Sequence, residues 1–176
     1  MSMRIDSFKQ ALRDGGARPN LFEVTGGFPG GGGVTADNMK FLIKSASLPQ
    51  DQIGQITVPY RGRELKIAGD RTFESWTIRV INTNDFELRK AFEKWHELIN
   101  GHATNKSAVF LDEYFQDWTA KQLDREGRVA ETYTFSGCYP ENIGPIELSH
   151  DTKDAIEEFD VTLAYQYWIH AGVTAR

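Results

Sequence analysis

The sequence predicts a mainly β fold: an antiparallel β-barrel or sandwich of about eight strands, with one packed helix and a short N-terminal helix. Two observations support this prediction. Most apolar segments alternate with polar residues at the period of a strand, whereas only residues 85–99 keep a helical period over several turns. The whole chain, residues 1–176, is predicted to be one domain, because this length suits a single core.

The first half of the chain contains the short helix and most of the shorter strands. Ile5, Phe8 and Leu12 would share one face of a helix, and the glycines that follow would end it. Strand alternation is strongest from Trp76 onward. In chain order the predicted elements are a helix at 5–13 and strands at 19–25, 39–49, 53–60, 63–68 and 73–82.

The second half begins with the one long helix, predicted at 85–99. Its apolar residues keep helical spacing, Asn84 and Glu87 have the spacing of a capping box, and Gly101 follows the last turn. The last predicted strand has one apolar and one polar face, as expected when only one side is buried. The remaining strands are predicted at 109–123, 128–140 and 157–168, the first two as a hairpin that turns at 124–127.

Composition limits the classes of function. The formal net charge of −5 disfavours a protein that wraps DNA, because such a protein needs many basic residues. The single cysteine, Cys138, allows no intramolecular disulfide and is typical of a reducing compartment. We expect no signal peptide and no membrane segment, and therefore a soluble protein made in the cytoplasm.

The stretch GGFPGGGG, residues 26–33, suggests a phosphate-binding loop, and it lacks the rest of that motif. A P-loop needs a lysine and a hydroxyl residue directly after its last glycine, but Val34-Thr35-Ala36 follows Gly33. The dinucleotide fingerprint also needs a following helix, whereas the sequence predicts a strand there. A flexible loop between two strands is the favoured interpretation.

No catalytic or metal-binding motif is complete. HELIN, residues 96–100, differs from the zinc motif HExxH by an asparagine at position 100, and a surface-facing His96 is favoured over a ligand. Cys138 has no basic neighbours in sequence, and acidic pairs such as Glu157-Glu158 are typical of solvated surface. The basic cluster around RGR (61–63) is small and suits a turn or a subunit contact as well as nucleic acid. We therefore expect no enzyme and no cofactor.

Several segments together resemble the tail tube proteins of contractile-tailed bacteriophages. The most specific are IAGDRTFESWTIRVINTND (67–85) and the turn in GCYPENIGPIELSHD (137–151). ARPNLFEV (17–24), SLP (47–49) and EEFDVTLAYQYW (157–168) occur in the same order and at similar spacing. The resemblance extends from about residue 5 to residue 169.

The resemblance implies a β-barrel flanked by a helix, related to the tube protein of type VI secretion. Six copies would form a ring, and rings would stack into the inner tube of a contractile tail. The implied partners are other copies of the chain and the sheath, baseplate, tape-measure and tail terminator proteins. Double-stranded DNA would pass through the lumen without specific binding, and the virion tail would be assembled in the host cytoplasm. A net acidic chain suits such a conduit, because a polar or acidic wall does not hold phosphates.

The polar faces of two strands are candidates for the lumen wall. The alternative is that these faces are covered by neighbouring subunits or point outward. The candidate residues are Glu158, Asp160, Thr162 and Gln166 in one strand and Thr132 and Thr134 in the other.

Residues 47–71 match the position at which the family has a loop or hairpin that reaches a neighbouring subunit. We expect Tyr60, Arg61, Arg63 and Arg71 to make inter-subunit contacts there. The competing interpretation pairs Arg71 with an acidic residue of its own chain, such as Asp70 or Glu74. Phe28 is a further predicted contact, in a glycine-rich loop that orders when subunits meet.

Other functions remain open at this point. Within the same superfamily the chain would be a baseplate-proximal tube initiator, or the tube of a phage-derived contractile injection system. From other classes, an enzyme would need a constellation that the sequence does not offer, and a monomeric binding module would not assemble.

Overall fold

A computed structural model describes residues 5–12, 16–31 and 33–172 of the chain. The described part contains three helices and nine strands, and their order confirms the mainly β prediction. The helices are α1 (Ile5–Ala11), α2 (Ala36–Leu42) and α3 (Glu87–Ile99). The strands are β1 (Phe22–Gly26), β2 (Ile43–Ala46), β3 (Asp51–Tyr60), β4 (Arg63–Phe73), β5 (Trp76–Ile81), β6 (Gln116–Leu123), β7 (Val129–Ile143), β8 (Glu158–Ala164) and β9 (Tyr167–His170).

Seven strands form one antiparallel sheet in the order β1-β6-β7-β8-β5-β2, with β9 also paired to β7. Within the described residues the path does not close into a barrel, because β1 and β2 stand at its two ends. Of the two predicted alternatives, a barrel and a sandwich, the fold is therefore the sandwich. In the described part of the chain, strands β3 and β4 pair only with each other, and they form a separate two-stranded ribbon.

Strand β7 belongs to both layers of the sandwich because it changes partners along its length. Its first part pairs with β6 and β9, and its last residues, from Tyr139 onward, pair with β8. At the change, Gly137 has a positive φ of 64° and its amide donates to the Asp117 carboxylate at 3.0 Å. Glycine adopts this conformation without steric cost, which allows the strand to bend there. One layer contains β1, β6, β7 and β9; the other contains β7, β8, β5 and β2.

Aromatic side chains from both layers and from α3 form the core. Trp76 of β5 stacks on Phe135 of β7 with ring centroids 4.1 Å apart. Trp118 of β6 contacts Phe92 and Trp95 on the buried face of α3. The helix therefore packs its apolar stripe against the sandwich as the 85–99 periodicity predicts, and rings of this size contribute much of the buried apolar area.

The region predicted as one strand at 39–49 is partly helical. Residues 36–42 form α2, whose N-cap Thr35 accepts a hydrogen bond from the Asn38 amide at 3.3 Å. Met39 is the buried residue of α2, and strand β2 begins only at Ile43. A helix thus follows the glycine-rich stretch, contrary to the prediction. The cap at Thr35 was the overlooked signal.

The start of α3 differs from the predicted capping box. Phe86 is the N-cap residue, it has a left-handed conformation with φ 55°, and no side chain caps the helix. The Asp85 carboxylate instead accepts a hydrogen bond from the Thr83 hydroxyl. Asn84 therefore does not cap α3, because the chain turns sharply through Phe86 before the first helical residue.

The strand predicted at 157–168 is two strands. In β8 the residues Phe159, Val161 and Leu163 are buried, as the alternation predicts. The chain then leaves β8, the Gln166 amide donates to the Ser136 carbonyl at 3.0 Å, and β9 begins in the other layer. This break follows the bend of β7, to which both strands are paired.

Candidate assembly surfaces

The ribbon formed by β3 and β4 is the most exposed element of the described structure. Its strands pair in register from Tyr60 and Arg63 at the tip to Asp51 and Phe73 at the base, with one irregularity near Gly54. From Gln55 to the tip the ribbon extends roughly 20 Å, at about 3.3 Å per residue. An isolated two-stranded hairpin is marginally stable in water, so a further packing partner is expected.

The two faces of the ribbon differ in polarity. Residues directly opposite each other share a face, so Ile56 with Ile67 and Val58 with Leu65 form an apolar stripe. These four side chains are between 42% and 59% exposed. The opposite face carries polar pairs such as Thr57 with Lys66. The ribbon is therefore amphipathic, and its apolar face lies open.

The tip of the ribbon presents one aromatic and two basic side chains. Tyr60 is 67% exposed, and the Arg61 guanidinium carbon lies 5.4 Å from the centre of its ring. Arg61 and Gly62 occupy the two-residue turn with φ values of 48° and 79°. Such a turn favours asparagine or glycine, and in any other residue type a positive φ has a conformational free-energy cost of about 1–2 kcal/mol. Arg61 is thus held in an unfavourable conformation at an exposed tip, next to Arg63.

Arg71 lies at the base of the ribbon and pairs within its own chain. Its guanidinium is 3.2 Å from the Asp51 carboxylate on the facing strand. The base is also attached to the sandwich, because the Trp76 indole donates to the Ser47 carbonyl at 2.7 Å. Arg71 therefore pairs with an acidic residue of its own chain, as the competing interpretation predicts, but the partner is Asp51 rather than Asp70 or Glu74.

Phe28 is not a surface contact, and this prediction is corrected. Its ring is buried in the core, edge-on to Phe92, Trp95 and Trp118 with centroids 5.0 to 5.8 Å apart. A Cβ on Gly26 would lie 2.2 Å from the Trp118 ring. The first glycines of the stretch therefore allow the chain to approach the core closely.

The predicted lumen residues lie on two different faces. Glu158, Asp160 and Thr162 project from the outer face of β8. There the Lys44 ammonium is 2.5 Å from Glu158, and the Arg79 guanidinium is 2.9 Å from Asp160. The Thr162 and Thr77 hydroxyls share a hydrogen bond of 3.2 Å. The acidic charges on this face are thus neutralised by adjacent basic groups.

Thr132 and Thr134 lie on the outer face of the other layer. Their cross-strand neighbours on β6 are Lys121 and Thr119, and Ile169 of β9 lies beside Thr134. Gln166 belongs to neither face, because it occupies the crossing between β8 and β9. The structure therefore does not bring the six residues together on one wall.

Further exposed apolar side chains lie outside the ribbon. Three consecutive ones, Val109, Phe110 and Leu111, are more than half exposed, although the sequence predicts a strand there. Sequence periodicity gives no signal for this surface, because an apolar run is equally typical of a buried strand. Others are Ile5 and Phe8 on α1, Phe41 on α2, and Leu148 and Ile156 in the long loop after β7.

The groups with catalytic potential have structural roles. His96 is half-buried rather than surface-facing, and its Nε2 donates to the Pro140 carbonyl at 3.0 Å. Burial raises the pKa of the Cys138 thiol to about 12, so the thiol stays protonated and unreactive. Among the described residues no group of three His, Cys, Asp or Glu side chains is placed to hold a metal ion. None of the described helices is long and apolar enough to cross a membrane.

The described residues form an exposed amphipathic ribbon, further apolar patches and strands that are paired on one side only. These features are typical of a structural subunit that assembles with other chains. A family model of phage tail tube proteins matches residues 17–171. The chain belongs to the phage tail tube protein family.

Two curated relatives cover almost the whole chain. The tail tube protein of Serratia phage KSP90 is 34% identical over 166 residues, with 92% of this chain and 93% of that protein covered. Tail tube protein gp19 of Enterobacteria phage T4 is 32% identical over 168 residues, with 94% and 99% covered.

Solved structures share the fold at lower identity. A chain of the six-fold symmetrised baseplate of the anti-feeding prophage aligns with a TM-score of 0.66 at 14% identity, with 91% of this chain and 98% of that chain covered. A chain of the extended sheath–tube complex of an extracellular contractile injection system, PVC, aligns with a TM-score of 0.62 at 18% identity, with 94% and 97% covered.

Proposed function

We propose that the chain folds as one domain and is a structural subunit of the inner tube of a contractile phage tail. Six copies form a ring, and the rings stack into the tube. The proposal includes the tail sheath, baseplate, tape-measure and tail terminator proteins as partners, and DNA as a passenger in the lumen. It assigns the subunit to the virion tail, assembled in the host cytoplasm, with no catalytic role. The amphipathic ribbon carries the proposal, because its exposed apolar face needs a partner that the described part of the subunit does not supply.

The arrangement of strands supports ring closure through the layer that contains β1, β6, β7 and β9. These four strands alternate in direction, and among the residues that the structure describes β1 and β9 have a strand partner on one side only. If β9 of one copy lies beside β1 of the next, the sheet continues as an antiparallel sheet. Head-to-tail pairing that closes by cyclic symmetry leaves no free edge in this layer.

The other layer is less suited to ring closure. Where β7 enters that layer, α3 lies beside it: His96 donates to the Pro140 carbonyl, and the Arg89 guanidinium donates to the Gly144 carbonyl at 2.6 Å. These carbonyl groups are therefore occupied by helix side chains rather than available to a neighbouring strand.

This choice of layer places Thr132 and Thr134 on the lumen wall and Glu158, Asp160 and Thr162 on the far side of the subunit. Hydroxyl groups suit a DNA conduit, because they do not hold phosphates, and Lys121 on the same face lies directly opposite Glu23 of β1. The near-neutral ion pairs around Arg79 suit a surface that faces protein.

The tube is favoured over the two related functions. The relatives that are 32% and 34% identical are tail tube proteins, and the alignments cover 99% and 93% of their lengths. The likeness to the anti-feeding prophage baseplate rests on 14% identity, and it supports the fold alone.

The ribbon tip gives the direct test. We expect the double substitution Arg61→Glu and Arg63→Glu to leave a folded subunit and to abolish tubes, because it reverses two positive charges at a contact. Negative-stain microscopy and size-exclusion chromatography measure the outcome. The control is Arg125→Glu with Lys94→Glu, which makes the same charge change away from the ribbon and should preserve the tubes.

Two results would contradict the proposal. Normal tubes from the Arg61 and Arg63 variant would exclude the ribbon tip as a contact. A wild-type chain that forms neither rings nor tubes at high concentration would exclude the tube itself.

A further inference from the structure

A cavity of about 620 Å³ lies between the outer face of β8 and the loop formed by residues 145–157. Its lining includes Ile146, Leu148 and Ile156. Leu148 and Ile156 are 79% and 70% exposed, although they border a concave surface. Concave surfaces that display apolar side chains are common sites for an inserted anchor residue of a partner.

The loop that covers the cavity is acidic. It contains Glu147, Asp151, Asp154 and Glu157 against a single basic residue, Lys153. Glu147 lines the cavity, and in the described part of the chain it makes no ion pair. Glu158 and Asp160, also in the lining, are already paired with Lys44 and Arg79. A partner for this surface should therefore be an apolar or aromatic group that carries positive charge.

The ribbon tip has this chemistry. Tyr60 supplies an exposed aromatic ring, and Arg61 and Arg63 supply two positive charges beside it. Tyrosine and arginine are the residue types most often found as anchors at protein interfaces. The unfavourable backbone of Arg61 is a second indication, because such conformations are concentrated at functional sites.

The base of the ribbon and the cavity are at opposite ends of the β5–β8 pair. The ribbon returns to the sandwich at the start of β5, where Trp76 pairs with Leu163. The cavity lies at the other end of the same pair, where Ile81 pairs with Glu158. Complementary surfaces at opposite ends of a molecule produce a head-to-tail contact that repeats without limit.

We infer that the ribbon tip of one copy inserts into the cavity beneath the 145–157 loop of a copy in the adjacent ring. Tyr60 packs against Leu148 and Ile156, and Arg63 pairs with Glu147. This contact joins stacked rings along the tube. The inference rests on the proposed tube and specifies which surface of the neighbour receives the ribbon.

The exposed segment 109–113 is the competing receiver, because two acidic residues, Asp112 and Glu113, follow its apolar residues. That segment leads into Tyr114, whose ring lies 6.0 Å from that of Tyr139. Tyr139 pairs with Ala164, at the same end of the sandwich as the ribbon base. The position of 109–113 is therefore less suited to a contact that repeats along the strand direction.

Cross-linking in assembled tubes distinguishes the two receivers. The variant Glu64→Cys with Ser149→Cys places one thiol beside the tip and one at the cavity, and it leaves Tyr60 and Leu148 intact. The native Cys138 is buried, so it contributes no background. We expect a short thiol-reactive linker to produce a ladder of covalent multimers from this variant and none from either single variant. Glu64→Cys with Asp112→Cys is the matched control for the other receiver and should remain monomeric on a denaturing gel.

A charge exchange provides a second, independent measurement. We expect Arg63→Glu and Glu147→Arg each to cause loss of tubes, and their combination to restore them, because only the pair recovers opposite charges. The inference would be overturned if the double-cysteine variant formed normal tubes without the ladder and the combined charge exchange did not restore tubes. The proposed function would then still stand. A ladder from the Asp112 control would assign the receiver to 109–113. A wild-type chain without tubes would instead remove the proposed function on which the inference rests.

Discussion

At the scale of single residues, Phe28 and its neighbouring glycines have a packing role. The Phe28 ring is surrounded by Phe92, Trp95 and Trp118, each with its ring roughly perpendicular to that of Phe28. Gly26 lies against the Trp118 ring, where a side chain would not fit. Gly30, in contrast, has a positive φ and open space around it. One end of the GGFPGGGG stretch thus belongs to the core and the other to a turn.

We predict that Phe28→Ala lowers the free energy of unfolding by about 3–5 kcal/mol, the usual cost of removing a fully packed aromatic ring. The matched control is Phe41→Ala, because Phe41 is 80% exposed. The control should change stability by less than about 0.5 kcal/mol. Urea unfolding of the monomeric subunit, followed by tryptophan fluorescence, measures both. Equal losses in the two variants would contradict the core position of Phe28.

At the scale of elements, the hairpin of β6 and β7 depends on one carboxylate in its turn. Asp124 accepts hydrogen bonds from the Glu126 and Arg128 amides, both at 2.8 Å, and from the Arg128 guanidinium at 2.9 Å. The bonds from the Arg128 amide and side chain hold the pKa of Asp124 below its usual value of 3.8. The sequence places this turn correctly, because aspartate and glycine in DREG are turn residues.

The sign of the pH effect follows from the lowered pKa. The ionised Asp124 stabilises the turn above the ordinary carboxylate pKa, and this contribution is lost as the pH falls through the lowered value. We predict that the protection factor of the Arg128 amide, the ratio of its intrinsic to its observed exchange rate measured by NMR, falls in that acidic range. In Asp124→Asn the protection factor should be lower at neutral pH and change less with acid. Identical pH profiles for the two proteins would refute this role of Asp124.

At the scale of the whole molecule, the two layers of the sandwich expose different polar faces. The face with Thr132 and Thr134 is rich in hydroxyls, whereas the face with Asp160 and Arg79 consists of ion pairs. In a ring only one of these faces points inward. The proposal that β1 and β9 meet between copies makes the hydroxyl face the lumen.

We predict that Thr134→Lys preserves tube assembly but makes the tubes retain DNA, because a lysine in each subunit places rings of positive charge along the lumen. A short duplex should sediment with the variant tubes at low salt and be released at high salt, since phosphate contacts are salt-dependent. The control is Ala103→Lys, which adds the same charge at an exposed loop and should retain no DNA. If the Ala103→Lys tubes retained DNA and the Thr134→Lys tubes did not, Thr134 would lie outside the lumen.

Local sequence patterns are sufficient to predict the elements whose side-chain period lies within one strand, helix or hairpin. The alternation in β5, the hairpin of β6 and β7, the apolar stripe of α3 and the ribbon of β3 and β4 all follow from patterns within one strand, one helix or one hairpin, and the structure contains each of them. The sequence also indicated the ribbon tip residues Tyr60, Arg61 and Arg63, which the structure leaves exposed. Side-chain period decides such elements because burial of one face is their main source of stability.

The contacts between residues far apart in the chain are not predictable from such patterns. The three-dimensional structure was needed to identify them. It divided the last predicted strand between two layers, placed Phe28 in the core, paired Arg71 with Asp51, and separated Thr132 from Glu158 on opposite outer faces. Each of these outcomes depends on strand order and on the bend of β7 at Gly137. Local patterns report that a residue is buried or exposed, but the identity of its neighbours is set by contacts between segments far apart in the chain.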